Sequence, residues 1–93
     1  MDLKLRGSRA LVTGSSRGIG RAIALSLADV KVDVAINYLR NRSRAEETAA
    51  EIESRGVRAL VLKGNVAKPE HVERLFSAID AAWGGLDIVV SNA

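Results

Sequence analysis

Short apolar runs alternate with stretches of helical periodicity along this chain of 93 residues. The first run, residues 9–13, stops at Gly14 and predicts a short strand. Residues 18–29 then place apolar or small side chains three and four positions apart, which is typical of a helix with one buried face. The members of that predicted face are Ile19, Ala22, Ile23, Ser26 and Leu27.

A second strand and a second helix follow. Residues 32–36 alternate between valine or isoleucine and other residues, which predicts a strand. Ser43 and Glu46 have the spacing of a capping box, in which a serine opens a helix and a glutamate three residues later bonds back to it. The helix is expected to run to about Arg55 and to stop at Gly56. Its predicted buried face consists of Ala45, Ala49 and Ile52.

The last third of the chain repeats the pattern. Residues 59–62 are uniformly apolar and predict a strand that is more than half buried. Pro69 suits the first turn of a third helix, because an N–H at that position has no partner within the helix. Gly84 and Gly85 end this helix, and residues 86–90 predict a fourth strand. The predicted buried face of the third helix consists of Val72, Leu75, Phe76, Ile79 and Trp83.

The resulting order, βαβαβαβ, predicts a doubly wound α/β fold. Strands joined by single helices run parallel with right-handed crossovers, and continuous apolar strands fit a sheet covered on both faces. Such sheets bind ligands at the carboxyl ends of their strands. This chain stops shortly after an apolar strand, so we expect residues 1–93 to be the truncated, N-terminal part of one larger domain.

Composition excludes several classes of protein. With 47% hydrophobic and 27% charged residues, the chain is typical of globular proteins. It contains no apolar run of the ~18–20 residues that a membrane span needs. Residues 1–5 lack the apolar segment of a secretory signal, and the absence of cysteine excludes disulfides and thiolate sites. We therefore expect a cytoplasmic protein without a membrane partner.

Neither a metal site nor a nucleic-acid partner is predicted. His71 is the only histidine and is interpreted as a surface helix residue, because no further ligands converge on it. Three aromatic side chains are too few to stack nucleic-acid bases. Residues 1–44 have a net charge of +6 and the rest of the chain −3, which favours an anionic ligand in the first half. Nucleic-acid binding by that half is the weaker alternative, and it predicts a steep salt dependence of affinity.

A glycine-rich turn joins the first strand to the first helix. Its glycines, Gly14, Gly18 and Gly20, are spaced G-x-x-x-G-x-G. Gly14 permits a sharp turn, Gly18 leaves room for a phosphate beside the backbone, and Gly20 allows the helix to pack closely on the strand. The helix N-terminus then offers N–H groups to a pyrophosphate, and Ser15 and Ser16 are expected to add hydroxyl donors.

The sequence resembles the short-chain dehydrogenase/reductase family at two motifs. Thr-Gly-x-x-x-Gly-Ile-Gly over residues 13–20 is similar to that family's cofactor signature, and Ser91-Asn92-Ala93 is similar to its Asn-Asn-Ala segment on strand four. The resemblance implies a Rossmann-like domain, of which this chain contains the first four strands, and hydride transfer with NAD(P)H. The family's catalytic Ser and Tyr-x-x-x-Lys would lie beyond residue 93, so no residue here is predicted to be catalytic.

The second strand indicates which nicotinamide cofactor is preferred. No acidic residue lies between Asp33, interpreted as a mid-strand residue, and Glu46, so an acceptor for the 2′-hydroxyl of NAD is missing. Arg40 follows the strand, and Arg17 lies within the glycine turn, where guanidinium groups can pair with a 2′-phosphate. These residues predict NADP, whereas Arg42 and Arg44 are interpreted as solvated.

The resemblance implies further cofactor contacts. Asn65 and Val66 match a pair that holds the adenine in the family, and Asn92 and Ala93 match residues near the ribose on the nicotinamide side. Two positions depart from the family's pattern: Ser91 replaces the usual asparagine, and Lys31 replaces a helix-ending glycine. The predicted cofactor-binding residues are Gly14, Ser15, Ser16, Arg17, Gly18, Ile19, Gly20, Leu39, Arg40, Asn65, Val66, Asn92 and Ala93.

The resemblance also implies a class of substrate. Residues 36–40, 64–66 and 91–93 are most similar to bacterial reductases of fatty-acid synthesis, which act on 3-oxoacyl- or enoyl-acyl-carrier-protein thioesters. The resemblance therefore implies a small-molecule or carrier-bound substrate and a homo-oligomeric parent protein. The alternatives are a sugar- or alcohol-type short-chain dehydrogenase and a non-catalytic dinucleotide-binding fragment.

Overall fold

Four parallel strands and three helices alternate along residues 5–92, which are the residues that the computed structural model describes. The predicted element order is confirmed. In chain order the elements are β1 (Arg9–Val12), α1 (Gly18–Asp29), β2 (Asp33–Tyr38), α2 (Arg42–Glu53), β3 (Ala59–Lys63), α3 (Pro69–Trp83) and β4 (Ile88–Val90).

The strands form one parallel sheet in the order β3-β2-β1-β4, with helices on both of its faces. Alternate side chains of β1 point to opposite faces. Val12 packs in a cluster with Ala24 of α1 and Ile52 of α2, whereas Leu11 packs with Ile79 of α3 on the other face. This is the doubly wound arrangement that the sequence predicts.

The buried face of α1 differs from the predicted one. Gly20, Ala24 and Ala28 are its buried residues, at intervals of four, whereas Ile19 is 74% exposed. The predicted members Ala22 and Ser26 are likewise exposed, while Ile23 and Leu27 are partly buried. Small side chains allow the helix backbone to approach the sheet closely, so in α1 they occupy the contact that larger residues were expected to make.

The start of α2 is also corrected. Asn41 caps the helix, because its side-chain oxygen accepts from the backbone N–H of Arg44 over 3.0 Å. Ser43 lies inside the first turn, and Glu46 pairs with Arg42 over 2.6 Å, so the predicted capping box does not form. The predicted buried face is confirmed, with Thr48 as a further member.

The face of α3 is narrower than predicted, and β3 is more exposed. Leu75 and Ile79 are buried, but Phe76 is 41% exposed. Trp83 is half-buried, and the guanidinium carbon of Arg58 lies 5.1 Å from the centroid of its ring. No residue of β3 is fully buried, since β3 is an edge strand of the described sheet.

An ion pair joins β1 to the turn before β4. The carboxylate of Asp87 accepts from the backbone N–H of Arg9 over 2.9 Å and from its Nε over 3.1 Å. The two residues are 78 positions apart in the sequence. The side-chain hydrogen bond from Arg9, aided by the one from its backbone, holds the pKa of Asp87 below the usual value.

Candidate functional site

The glycine turn lies at the carboxyl end of β1, where it brings three segments together. Gly14 has a φ of +59°, and a Cβ there would lie 2.7 Å from the carbonyl oxygen of Asn92. A Cβ at Gly20 would lie 2.2 Å from the carbonyl oxygen of Gly14. Both positions therefore require glycine on steric grounds, as the spacing indicates.

The N-terminus of α1 opens beside this turn. Arg17, its N-cap, is extended and makes no capping hydrogen bond with its side chain, and the first turn contains no acidic residue. Gly18 has a φ of +64°, and no atom lies within 4 Å of the place where its Cβ would be. Helix N–H groups beside open space, without a competing carboxylate, are suited to an anion.

Ser15 has a structural role that the sequence did not indicate. Its side chain is fully buried, donates to the carbonyl of Val12 over 2.6 Å and accepts from the N–H of Asn37 over 3.0 Å. Its own N–H donates to the carbonyl of Asn37 over 3.1 Å. The expectation that the Ser15 hydroxyl is available to a ligand is therefore wrong in this structure.

Asn37 is a central residue of the site that sequence reasoning missed. It is 3% exposed, and its side-chain oxygen accepts from the N–H of Gly14 over 3.1 Å. Its side-chain nitrogen donates to the carbonyl of Gly64 over 3.1 Å. Asn37 thereby connects the glycine turn to the loop after β3. The sequence signal for this role was an asparagine among the apolar residues near the end of the buried strand β2.

Two clefts flank this end of β2. The first, named here the arginine cleft, has a volume of about 540 Å³. It brings together the predicted residues Gly14, Ser16, Arg17, Leu39 and Arg40, along with Tyr38 and Asn41. No carboxylate of residues 5–92 lines it. Asp33 is the first residue of β2, not a mid-strand residue, and it pairs with Arg58 over 2.8 Å at the opposite end of the strand.

The second cleft, named here the Asn65 cleft, has a volume of about 410 Å³. It is lined by Leu39, Lys63, Gly64, Asn65, His71 and Arg74. Leu39 is 49% exposed and lines both clefts, so a ligand that extends across it would contact both. Val66, next to Asn65, is 42% exposed.

His71 occupies a position that the sequence did not indicate. Its Nδ1 accepts from the backbone N–H of Asn65 over 2.9 Å, and the residue is half-buried. His71 is a helix residue, as interpreted from the sequence, but its ring also makes a hydrogen bond that the sequence did not indicate. Among residues 5–92 no group of histidine and acidic residues is arranged to hold a metal ion.

The end of β4 completes the site. The backbone N–H of Asn92 donates to the hydroxyl of Thr13 over 2.9 Å, and its side-chain nitrogen donates to the carbonyl of Gly14 over 3.1 Å. The predicted residue Ala93 lies outside the described residues.

Within residues 5–92, none of the helices has the length and apolar character needed to cross a bilayer.

The sequence and the fold both match known proteins. The model of the short chain dehydrogenase family matches residues 8–93. The chain is 43% identical over 84 residues to a 3-oxoacyl-[acyl-carrier-protein] reductase of Staphylococcus epidermidis, covering 90% of this chain and 34% of that protein. The chain thus spans about a third of the length of such relatives.

Two solved structures resemble the fold closely. A short chain dehydrogenase from Burkholderia cenocepacia in complex with NADP has a TM-score of 0.91 and 48% identity, covering 96% of this chain and 36% of that one. The L-sorbose reductase of Gluconobacter frateurii, complexed with NADPH and L-sorbose, has a TM-score of 0.92 and 38% identity, covering 100% of this chain and 35% of that one. With its Rossmann-like sheet and glycine turn, the chain belongs to the short-chain dehydrogenase/reductase family of oxidoreductases.

Proposed function

We propose that this chain is the NADP-binding part of a larger reductase. The observation that carries the proposal is the arginine cleft, in which Arg17 and Arg40 lie beside the glycine turn without a carboxylate among the described lining residues. A guanidinium donates two parallel hydrogen bonds to phosphate oxygens, whereas a carboxylate would repel a 2′-phosphate.

Each part of the dinucleotide, from the adenine to the nicotinamide ribose, is assigned to residues of this site. The open N-terminus of α1, from Gly18 to Gly20, would hold the pyrophosphate. Arg17 and Arg40 would hold the 2′-phosphate, and Ser16 would line the same cleft. The adenine would lie across Leu39 in the Asn65 cleft, beside Val66. Ile19 and Asn92 would approach the nicotinamide ribose.

The cofactor would supply the hydride, while this chain would orient it. Asn37 and Asn92 hold the glycine turn against β2 and β4, so the groups that face the pyrophosphate do not have to be ordered on binding. No residue of this chain is assigned the proton transfer. We propose that residues of the parent protein beyond residue 93 carry out that step.

For the substrate, we propose a 3-oxoacyl- or enoyl-acyl-carrier-protein thioester. The Staphylococcus epidermidis relative is named as a 3-oxoacyl-[acyl-carrier-protein] reductase, which favours this class. The second candidate is a sugar, because the Gluconobacter frateurii neighbour is complexed with L-sorbose. We further propose a homo-oligomeric, cytoplasmic parent protein.

The test is a comparison of both cofactors and both substrate classes. The parent protein is titrated with NADPH and with NADH, and the dissociation constants are expected to differ by at least about tenfold in favour of NADPH, because a charge-assisted pair contributes ~1.5–3 kcal/mol. Turnover of a 3-oxoacyl thioester is then compared with turnover of L-sorbose. Equal or tighter binding of NADH would overturn the assignment of the arginine cleft.

The non-catalytic alternative is distinguished by the reading frame. A frame that continues past residue 93 and encodes Tyr-x-x-x-Lys supports the reductase. A stop codon directly after residue 93 supports a dinucleotide-binding fragment without activity.

A further inference from the structure

Hydrogen bonds close the loop between β3 and α3 onto the first turn of that helix. The N–H of Lys68 donates to the carbonyl of Asn65 over 2.9 Å, and the N–H of His71 donates to the carbonyl of Lys68 over 3.0 Å. The third bond joins the loop to the first turn of α3, from the N–H of Asn65 to Nδ1 of His71 over 2.9 Å. A further bond runs from the N–H of Ala67 to the side-chain oxygen of Asn65 over 2.9 Å. Of these four bonds, the third is the one whose acceptor is a titratable side chain.

This third bond requires a neutral imidazole. Nδ1 can accept a hydrogen bond only through its lone pair, and a protonated imidazole has an N–H at both ring nitrogens. Histidine is the side chain whose charge ordinarily changes between about pH 5 and pH 8. Protonation of His71 would therefore place two donors face to face and break its bond with Asn65.

Charged side chains lie near His71 on β3, on α3 and on the loop. Lys63 of β3 and Arg74 of α3 line the same cleft as His71. Lys68, on the loop, is exposed. The carboxylates nearest in sequence, Glu70 and Glu73, are exposed, and within residues 5–92 no ion pair connects either of them to His71.

We propose that His71 is a positioning residue that holds Asn65 in the shape that receives the cofactor's base, and that acidification weakens cofactor binding through this residue. The inference rests on the proposed binding of NADP. His71 touches Asn65, not the reacting atoms. Its effect is therefore on affinity and not on the chemical step.

Two variants test the proposal against wild type in the full-length protein. His71→Asn places an amide oxygen near the position of Nδ1, so it keeps an acceptor that does not titrate. His71→Ala removes the acceptor at every pH. The probe is NADP⁺, whose dissociation constant is measured at pH 8.0 and pH 5.5. Because the 2′-phosphate itself titrates near pH ~6, each value is divided by that of His71→Asn at the same pH.

The expected pattern separates the three proteins. At pH 8.0 the dissociation constant of NADP⁺ should be the same for wild type and His71→Asn. At pH 5.5 wild type should bind NADP⁺ about two- to tenfold more weakly than His71→Asn, which is the range expected for one lost hydrogen bond. His71→Ala should bind NADP⁺ more weakly than His71→Asn at both pH values. If the ratio of the two dissociation constants, wild type to His71→Asn, is the same at pH 8.0 and pH 5.5, the proposal is overturned.

A second measurement does not depend on the cofactor. The amide resonance of Asn65 is followed by NMR from pH 8.0 to pH 5.5 without ligand. It should shift in wild type and stay nearly constant in His71→Asn. Equal shifts in both proteins would overturn the role of His71. Absence of NADP⁺ binding at all pH values, with the wild-type shift intact, would instead contradict the proposed function.

Discussion

The side-chain oxygen of Asn37 accepts a hydrogen bond from the backbone N–H of Gly14, with 3.1 Å between the two atoms. The same side chain donates to the carbonyl of Gly64. One buried amide therefore connects the carboxyl ends of three neighbouring strands, and the shape of both clefts depends on it.

Replacement of Asn37 should destabilise the fold. Asn37→Ala leaves the N–H of Gly14 and the carbonyl of Gly64 without this partner, so the free energy of unfolding should fall by about 1–3 kcal/mol. Urea denaturation of the parent protein measures the change. Ser26→Ala, at an exposed position of α1, is the control and should change the value by less than about 0.5 kcal/mol. Similar losses in the two variants would contradict the bridging role.

Gly20→Ala should damage the glycine turn by direct collision. The added methyl group would lie 2.2 Å from the carbonyl oxygen of Gly14, and neither backbone segment can yield without moving the turn. We expect a loss of about 1–3 kcal/mol in the free energy of unfolding, as is typical of overpacking. Ala22→Gly, at an exposed position of the same helix, should cost only about 0.5–1 kcal/mol. Gly20→Ala with wild-type stability would show that the turn is not tightly packed.

Arg40→Asp should reduce the preference of the parent protein for NADPH over NADH. The change removes a partner of the 2′-phosphate and adds an acceptor for a ribose hydroxyl, so NADPH should bind at least about tenfold more weakly while NADH binds equally or more tightly. Arg44→Asp makes the same change of charge outside the residues that line the arginine cleft, and it should alter the ratio far less. Equal losses for both cofactors would mean that Arg40 supports the fold and not the phosphate.

Asp87→Asn should change how stability depends on pH. Because the hydrogen bonds from Arg9 lower the pKa of Asp87 in the fold, its charged form stabilises the folded state. That contribution is fully present above the unfolded pKa, near pH ~4, and is lost as the pH falls through the folded pKa. Wild type should therefore exceed Asp87→Asn in stability at pH 7, and the difference should shrink by pH 2.

Urea midpoints of the parent protein at the two pH values measure this difference. Asp80→Asn is the control for loss of one exposed carboxylate, since among the described residues Asp80 has no ion pair. A difference for Asp87→Asn that is as large at pH 2 as at pH 7 would assign the effect to the shape of the side chain.

Residues 1–93 expressed alone should show no reductase activity and should associate. The sequence contains one tyrosine, Tyr38, which is 4% exposed and lines the arginine cleft, so the expected proton donor is missing. Val89 of β4 is 52% exposed, and in the described sheet β4 pairs only with β1. Open strand edges of this kind promote association. Size-exclusion chromatography and an NADPH oxidation assay test both points; a soluble, cooperatively unfolding monomer or measurable turnover would contradict them.

The element order and the glycine turn were predictable because their signals are local. Apolar periodicity, Pro69 and the terminating glycines act within a few residues, and they placed α1 and α3 correctly. The positive φ of Gly14 likewise follows from a turn that must reverse within a few residues. Even there, local signals competed: Asn41, not Ser43, caps α2, because several residues near that helix start can accept a backbone hydrogen bond.

The face that each element buries was decided by the tertiary structure. Periodicity identifies a stripe but not its centre, so the small residues Gly20, Ala24 and Ala28 replaced part of the predicted face of α1. Phe76 was assigned to the core on the same periodicity and lies 41% exposed. How deeply a residue is buried depends on which neighbours pack against it, and these come from distant parts of the chain.

The polar contacts of the site depended on the tertiary structure most of all. The sequence by itself determined that glycine, arginine and asparagine residues occur at the strand ends where a dinucleotide would bind. The sequence did not determine that the buried hydroxyl of Ser15 donates to the backbone of Val12 or that the side chain of Asn37 bridges two loops. Nor did it determine that Nδ1 of His71 accepts a hydrogen bond from the N–H of Asn65. Hydrogen bonds require an approach to about 3 Å in a narrow angular range. For residues more than twenty positions apart, such as Gly14 and Asn37, only the folded sheet brings donor and acceptor to that distance.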